Sequence, residues 1–201
     1  MHGDDTSLAI LAGGEGARMG RAKALLRAND VPVLGYLLDR FHWTGPTLLI
    51  TAPGREGPPG AERFTRECVD RASGQGPLRG VLTALENAST PRVLIAAVDM
   101  PLIERRHLDE LIARIGSSVV LMPARIIDGR RQVEPFPSIF HVDAIDTIRA
   151  RLARDERSVA RLCDGDERFA TIDVNWEPTA WLNLNHPSDL PLLAQHGLRI
   201  Q

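Results

Sequence analysis

The sequence predicts a single α/β domain built on a Rossmann-like, doubly wound, mostly parallel sheet with helices on both faces. Two observations lead there. Short, almost wholly apolar runs alternate with stretches of helical period, and a glycine-rich segment follows the first apolar run directly. A chain of 201 residues can bury a substantial core without disulfides or metal ions as staples.

The elements follow in order. Residues 6–12 (TSLAILA) end at Gly13-Gly14 and have the profile of a strand covered on both faces. Residues 47–52 (TLLITA) and 92–98 (RVLIAAV) repeat that profile, and residues 118–122 add a fourth run. Between them, residues 33–41 and 77–88 have helical period, which gives βαβ units and a parallel sheet. Residues 53–60, rich in glycine and proline, read as a surface loop and a candidate flap. Across residues 128–141, Pro135 and Pro137 restrict the chain to an edge strand or a loop. Residues 142–152 and 158–162 read as helical, 169–174 and 181–184 as short strands, and Pro187-Ser188-Asp189 opens a last helix ending near Gly197. The domain is expected to divide into two halves, about residues 6–100 and about 101–196.

Composition excludes several classes. The 24 basic and 26 acidic residues give a formal net charge of −2, without the positive excess that nucleic acid or an anionic membrane requires. Cys68 and Cys163 stand far apart with no CxxC or histidine cluster, so two ordinary buried thiols are expected. The six histidines show no metal-ligand spacing. The first residues lack a basic signal-peptide region, and no apolar run approaches the roughly 20 residues of a spanning helix, so a cytoplasmic protein is expected. Of the 24 cations, 23 are arginines, and the single lysine, Lys23, lies in the glycine-rich segment.

That segment, LAGGEGARMGRAK, places four glycines in eight positions after the first strand, letting backbone N–H groups turn toward an anion. Its spacing is neither GxGxxG nor GxxxxGK[ST]. Arg18 and Lys23 bring two cations to a strand's carboxyl end, where open sheets bind ligands; together they can offset a triphosphate and a leaving pyrophosphate. Asp99 closes the third apolar run and suits Mg²⁺, which takes one or two protein oxygens and completes its shell from phosphate and water. It can equally cap a helix before Pro101. Asp70 ends a shorter run in the same way. Gly76 and Gly80 flank the start of a helix in GPLRG. Asn183 and Asn185 alternate with leucines, so both amides share a face, where they can hold a ligand's rim or tie down the turn before Pro187.

LAGGEGARMGRAK, GPLRG, VDMP and WLNLNHPSDL occur in this order over nearly the whole chain and resemble the MobA family of molybdenum cofactor guanylyltransferases. The resemblance implies transfer of GMP from Mg-GTP to the phosphate of molybdopterin, with contacts to other proteins of that pathway. Carried over by position, Leu11, Ala12, Gly13 and Gly14 would contact the nucleotide, Lys23 and Asp70 would help bind it, and Asp99 would hold Mg²⁺. Arg18, Gly76, Gly80, Asn183 and Asn185 would line the phosphate or pterin side, with Arg18, Lys23 and Asp99 forming the catalytic set. The chain departs from the family pattern at Ala22, where aspartate is usual, at Pro53, where asparagine is frequent, and at Arg79, where small residues are usual. Those departures leave a cytidylyl or sugar-phosphate transferase, or a non-catalytic nucleotide-binding protein, as alternatives.

Overall fold

The computed structural model describes residues 5–13, 22–70 and 76–201. Gly14 and Arg18 therefore lie outside the described residues.

The first apolar run forms β1 (Thr6–Leu11). A short hairpin, β2 (Arg27–Ala28) and β3 (Val31–Pro32), leads into α1 (Val33–Phe41). Then come β4 (Thr47–Thr51), β5 (Arg66–Val69), α2 (Pro77–Asn87) and β6 (Arg92–Ala97). The remainder forms α3 (Arg105–Arg114), β7 (Val120–Ile127), β8 (Arg130–Val133), β9 (Ser138–His141), α4 (Ile145–Ala153), β10 (Phe169–Asp173) and α5 (Leu190–Gln195).

Among the described residues, eight strands form one sheet in the order β10-β7-β9-β6-β1-β4-β5, with β8 paired to β7. β1 is parallel to both β4 and β6, β4 to β5, and β7 to β10, so the sheet is mostly parallel, as the apolar runs imply. Leu8, Ala9 and Ile10 are 0% exposed. In α1 the buried Val33, Leu34, Leu37, Leu38 and Phe41 repeat at helical spacing and turn one stripe inward. α1 packs beside α3, while α2 crosses β1, β4, β5 and β6 with α4 beside it. Each fully buried leucine or isoleucine in these layers contributes about 1.5–3 kcal/mol relative to exposure. No helix among the described residues is long and apolar enough to cross a membrane.

Two stretches differ from the sequence expectation. Residues 138–141 form neither an edge strand nor a loop. They are β9, an interior strand antiparallel to both β6 and β7. Pro135 and Pro137 precede its first ladder residue, Ser138, so they remove no donor from the ladder. Residues 181–184 form no strand. Trp181 closes a 3₁₀ turn (Pro178–Trp181), and β6, flanked by β1 and β9, has no free edge for another strand. The chain instead crosses the carboxyl end of β6 and makes one bond there, from Leu184 N–H to the Asp99 carbonyl at 2.8 Å.

The loop at residues 53–60 is docked at several points. The Gly57 N–H donates to both carboxylate oxygens of Glu67 at 3.1 Å, and Pro58 is buried. Gly60 has φ +92°, and a Cβ there would lie 3.1 Å from the Gly35 nitrogen at the start of α1. Gly60→Ala is expected to lower stability by about 1–3 kcal/mol, since strain and crowding add; a denaturant midpoint measures it.

The start of α3 is held by reciprocal hydrogen bonds. The Glu104 side chain accepts from the His107 N–H, and Glu104 N–H donates to His107 Nδ1 at 2.9 Å. His107 Nε2 faces Glu177 Oε2 at 3.3 Å. Burial holds the imidazole pKa below its ordinary 6.5, against the opposing pull of Glu177. Well above pH 6.5 the ring is neutral in both the folded and the unfolded chain, and its contribution to stability is complete. As the pH falls below 6.5, the unfolded chain takes up a proton that the folded chain resists, and stability drops until the lower folded pKa is passed. Urea midpoints measured from pH 8 to pH 5 (about the range in which histidine titrates) should fall more steeply for the native chain than for His107→Gln.

Candidate active site

β1 pairs with β4 on one side and β6 on the other, so the strand order reverses at β1 and a crevice opens at the carboxyl ends of β1 and β6. The backbone at this edge is tightly placed. Ala12 N–H donates to the Ile50 carbonyl at 2.8 Å, and Val98 N–H donates to the Leu11 carbonyl at 3.1 Å. Leu11, Ala12 and Gly13 thus leave the sheet beside the turn carrying Asp99. That turn is closed by Met100 N–H to the Ala97 carbonyl at 3.2 Å.

Three residues expected from separate motifs meet here. Lys23, at the start of a 3₁₀ turn (Lys23–Leu25), donates from Nζ to Asp99 Oδ2 at 2.9 Å and to Asn185 Oδ1 at 2.7 Å. Their sequence separations of 76 and 162 residues make this a product of the fold alone. The lysine side chain is 14% exposed and the Asp99 side chain 28%, so the pair is partly shielded yet open to a ligand. Asp99 caps no helix; Glu104 caps α3, and the Asp99 carboxylate faces the lysine. The turn before Pro187 is tied not by the asparagine amides but by Asp189, whose Oδ2 accepts from Asn185 N–H at 2.8 Å and His186 N–H at 2.7 Å. Asn185 is thereby left to face Lys23. Asn183 is exposed and, with Trp181, Asn185, His186, Asp189 and Leu192, lines an adjoining cavity of about 250 Å³.

The remaining expected residues are spread around this centre. Asp70, at the end of β5, donates its N–H to the Thr51 carbonyl at 2.8 Å and accepts from Arg79 Nε at 3.2 Å. Arg79 has recruited an acid rather than standing alone. Gly76 caps α2 with φ +71°, a conformation that favours glycine. Gly80 is buried on the face of α2 that packs on β1, and a Cβ there would lie 3.4 Å from Leu11 Cδ2. Both thiols are poor nucleophiles. Burial raises the Cys68 pKa and pushes Cys163 up to about 11.

Sequence reasoning did not find the support beneath Asn183 and Asn185. Trp181 stacks on Trp176 with centroids 4.8 Å apart, and the Arg125 guanidinium lies 4.8 Å from the Trp181 ring. Arg125 is held in turn by Glu134 at 2.7 Å, and Trp176 packs against His107 at 4.7 Å. The available signal was a pair of tryptophans five residues apart just ahead of the asparagines.

A doubly wound sheet with a cation and a carboxylate at its switch-point crevice defines a nucleotide-handling α/β protein. The chain belongs to the MobA-like NTP transferase domain family, whose model matches residues 8–169, and it is a nucleotidyltransferase. It is 32% identical over 197 residues to the molybdenum cofactor guanylyltransferase of Vibrio cholerae serotype O1, covering 96% of this chain and 92% of that protein. It is 33% identical over 198 residues to the probable molybdenum cofactor guanylyltransferase of Mycolicibacterium paratuberculosis, covering 92% of this chain and 93% of that protein. The fold matches the crystal structure of molybdopterin-guanine dinucleotide biosynthesis protein A from Archaeoglobus fulgidus with a TM-score of 0.75 at 20% identity, covering 95% of this chain and 98% of that one.

Gly13 separates what the fold requires from the nucleotide contact that the family resemblance implies. A Cβ at this position would lie 3.5 Å from the Ala52 nitrogen and 3.6 Å from Ala52 Cβ, both ordinary contacts. Gly13→Ala should therefore leave folding stability within about 0.5 kcal/mol. It should weaken triphosphate binding about tenfold, because the added methyl keeps phosphate from the backbone. Thermal unfolding and a nucleotide titration of the same variant measure the two effects.

Proposed function

We propose that the chain transfers GMP from Mg-GTP to the phosphate of molybdopterin, releasing pyrophosphate and forming the guanine dinucleotide cofactor in the cytoplasm. The observation that carries this reading is the convergence of Lys23, Asp99 and Asn185, drawn from three motifs, on one point of the switch-point crevice. Full-length similarity to relatives named molybdenum cofactor guanylyltransferase supplies the base and the acceptor.

In this reading the backbone of Leu11, Ala12 and Gly13, with Gly14, receives the nucleotide, and Asp70 helps hold it while bridged to Arg79. Lys23 and Arg18 neutralise the triphosphate. The residues fit a hard cation. Asp99 Oδ2 and Asn185 Oδ1 already converge on the Lys23 ammonium, and Mg²⁺ favours oxygen donors. When bound there by Asp99, Mg²⁺ would supply charge neutralisation on the phosphates. The other ligands would come from the substrate phosphates and water.

The acceptor lies on the side of Asn183 and the cavity at Trp181, with Gly76, Gly80 and Asn185 toward the phosphates. Trp181 is covered by Trp176 and Arg125, so its role is to seat the asparagine segment rather than to stack on a pterin. The acceptor phosphate oxygen attacks the α-phosphorus in line, a new P–O bond forms, and the bond to the bridging oxygen breaks, releasing pyrophosphate. The attacking oxygen is already anionic, so positioning and charge neutralisation suffice without a general base. Contacts with other proteins of the cofactor pathway belong to the same proposal.

The test is pyrophosphate release from GTP, CTP, UTP and ATP, each with molybdopterin and Mg²⁺. GTP should be the preferred donor, and Asp99→Asn should reduce kcat/KM by about 10²–10³, the usual cost of losing a charge-stabilising group at the reacting phosphate. A preference for CTP would move the protein to the cytidylyl relatives. Binding of GTP without turnover would make it an accessory protein.

A further inference from the structure

Lys23 is the only lysine in the chain, and its ammonium is held by two oxygens of different charge. The Asp99 carboxylate neutralises it. The Asn185 amide holds it without neutralising it. Asn185 is itself fixed, since its N–H and that of His186 donate to Asp189, and Leu184 N–H donates to the Asp99 carbonyl. The neighbouring position is Ala22, so no carboxylate directly precedes the lysine. A dication that needs Asp99 must therefore compete with an ammonium 2.9 Å from the same oxygen.

We propose that Lys23 is the internal counter-ion of Asp99, that a nucleotide's phosphates draw it away, and that Asn185 is the positioning residue that keeps hold of the ammonium during the exchange. Divalent metal and nucleotide then bind as a coupled pair, each raising the affinity for the other, as linkage requires. Every charge stays paired throughout. The ammonium passes from carboxylate to phosphate as the carboxylate passes from ammonium to metal, so no bare charge is left in a partly shielded site. The inference rests on the reading of Asp99 as the metal-binding residue.

The test needs no turnover. Free Mn²⁺ is followed by electron paramagnetic resonance, without nucleotide, in the native protein, Lys23→Met, Asp99→Asn and the double variant. Methionine keeps the aliphatic stem of the lysine and removes the charge. Lys23→Met should bind Mn²⁺ about fivefold more tightly than the native chain, and adding Asp99→Asn should abolish that gain. Equal or weaker binding by Lys23→Met overturns the proposal, as does a gain that survives Asp99→Asn.

The single lysine gives a second readout, because ¹⁵N-lysine labelling yields one side-chain signal. Millimolar Mg²⁺ alone should leave that signal in place, whereas Mg²⁺ with GTP should move it. Asn185→Leu should broaden the signal in the nucleotide-free protein, and a shift produced by Mg²⁺ alone counts against the exchange. If the Mn²⁺ results are as expected and Mg-GTP binds without moving the signal, the exchange is overturned while the counter-ion role of Lys23 holds; if Mg-GTP does not bind at all, the guanylyl reading fails.

Discussion

One ammonium, held between a carboxylate and an amide, ties the start of this chain to its middle and its end. Lys23 ends the glycine-rich segment, Asp99 follows the central strand β6, and Asn185 lies just before the 3₁₀ turn (Pro187–Asp189) that leads into α5. Each arrives by a different route: the lysine on a 3₁₀ turn, the aspartate on a tight turn at the sheet edge, and the asparagine on a segment anchored by Asp189. The parallel sheet is what makes the meeting possible, because it delivers the ends of β1 and β6 to the same edge. A partly exposed ion pair of this kind adds little to stability, so its placement is better explained by function.

The same edge carries two of the positions at which the sequence departs from the family pattern it resembles. Ala22 leaves Asp99 as the acid facing Lys23. Arg79, large where a small residue is usual, turns back to Asp70 and forms a second pair at the end of β5. Among the described residues, Asp99 and Asp70 at this edge are each matched with a cation. In the proposed reaction an incoming triphosphate rearranges those pairs.

Much of this was legible in the sequence because burial on both faces leaves a continuous apolar signature. The runs that became β1, β4 and β6 needed no partner to be recognised, and Pro187 with Asp189 marked the last helix locally. β9 was hidden by Pro135 and Pro137, which suggest an edge even though both precede the ladder. Residues 181–184 had the alternation of a strand but found no free edge. For the candidate site, residue type and motif order singled out Lys23, Asp99 and Asn185, but not that the three touch. Nor could local sequence show that Asp189 would tie the turn, or that Arg125 and Trp176 would enclose Trp181, since those contacts exist only after the layers close.

The enclosed indole has an optical consequence. The chain has three tryptophans, and two of them, Trp176 and Trp181, form one stack beneath the segment that carries Asn183 and Asn185. The third, Trp43, lies apart under Arg105. Exciton coupling between the stacked pair depends on their 4.8 Å separation and 14° tilt, so circular dichroism reads the seating of the segment carrying Asn183 and Asn185, with no dye attached.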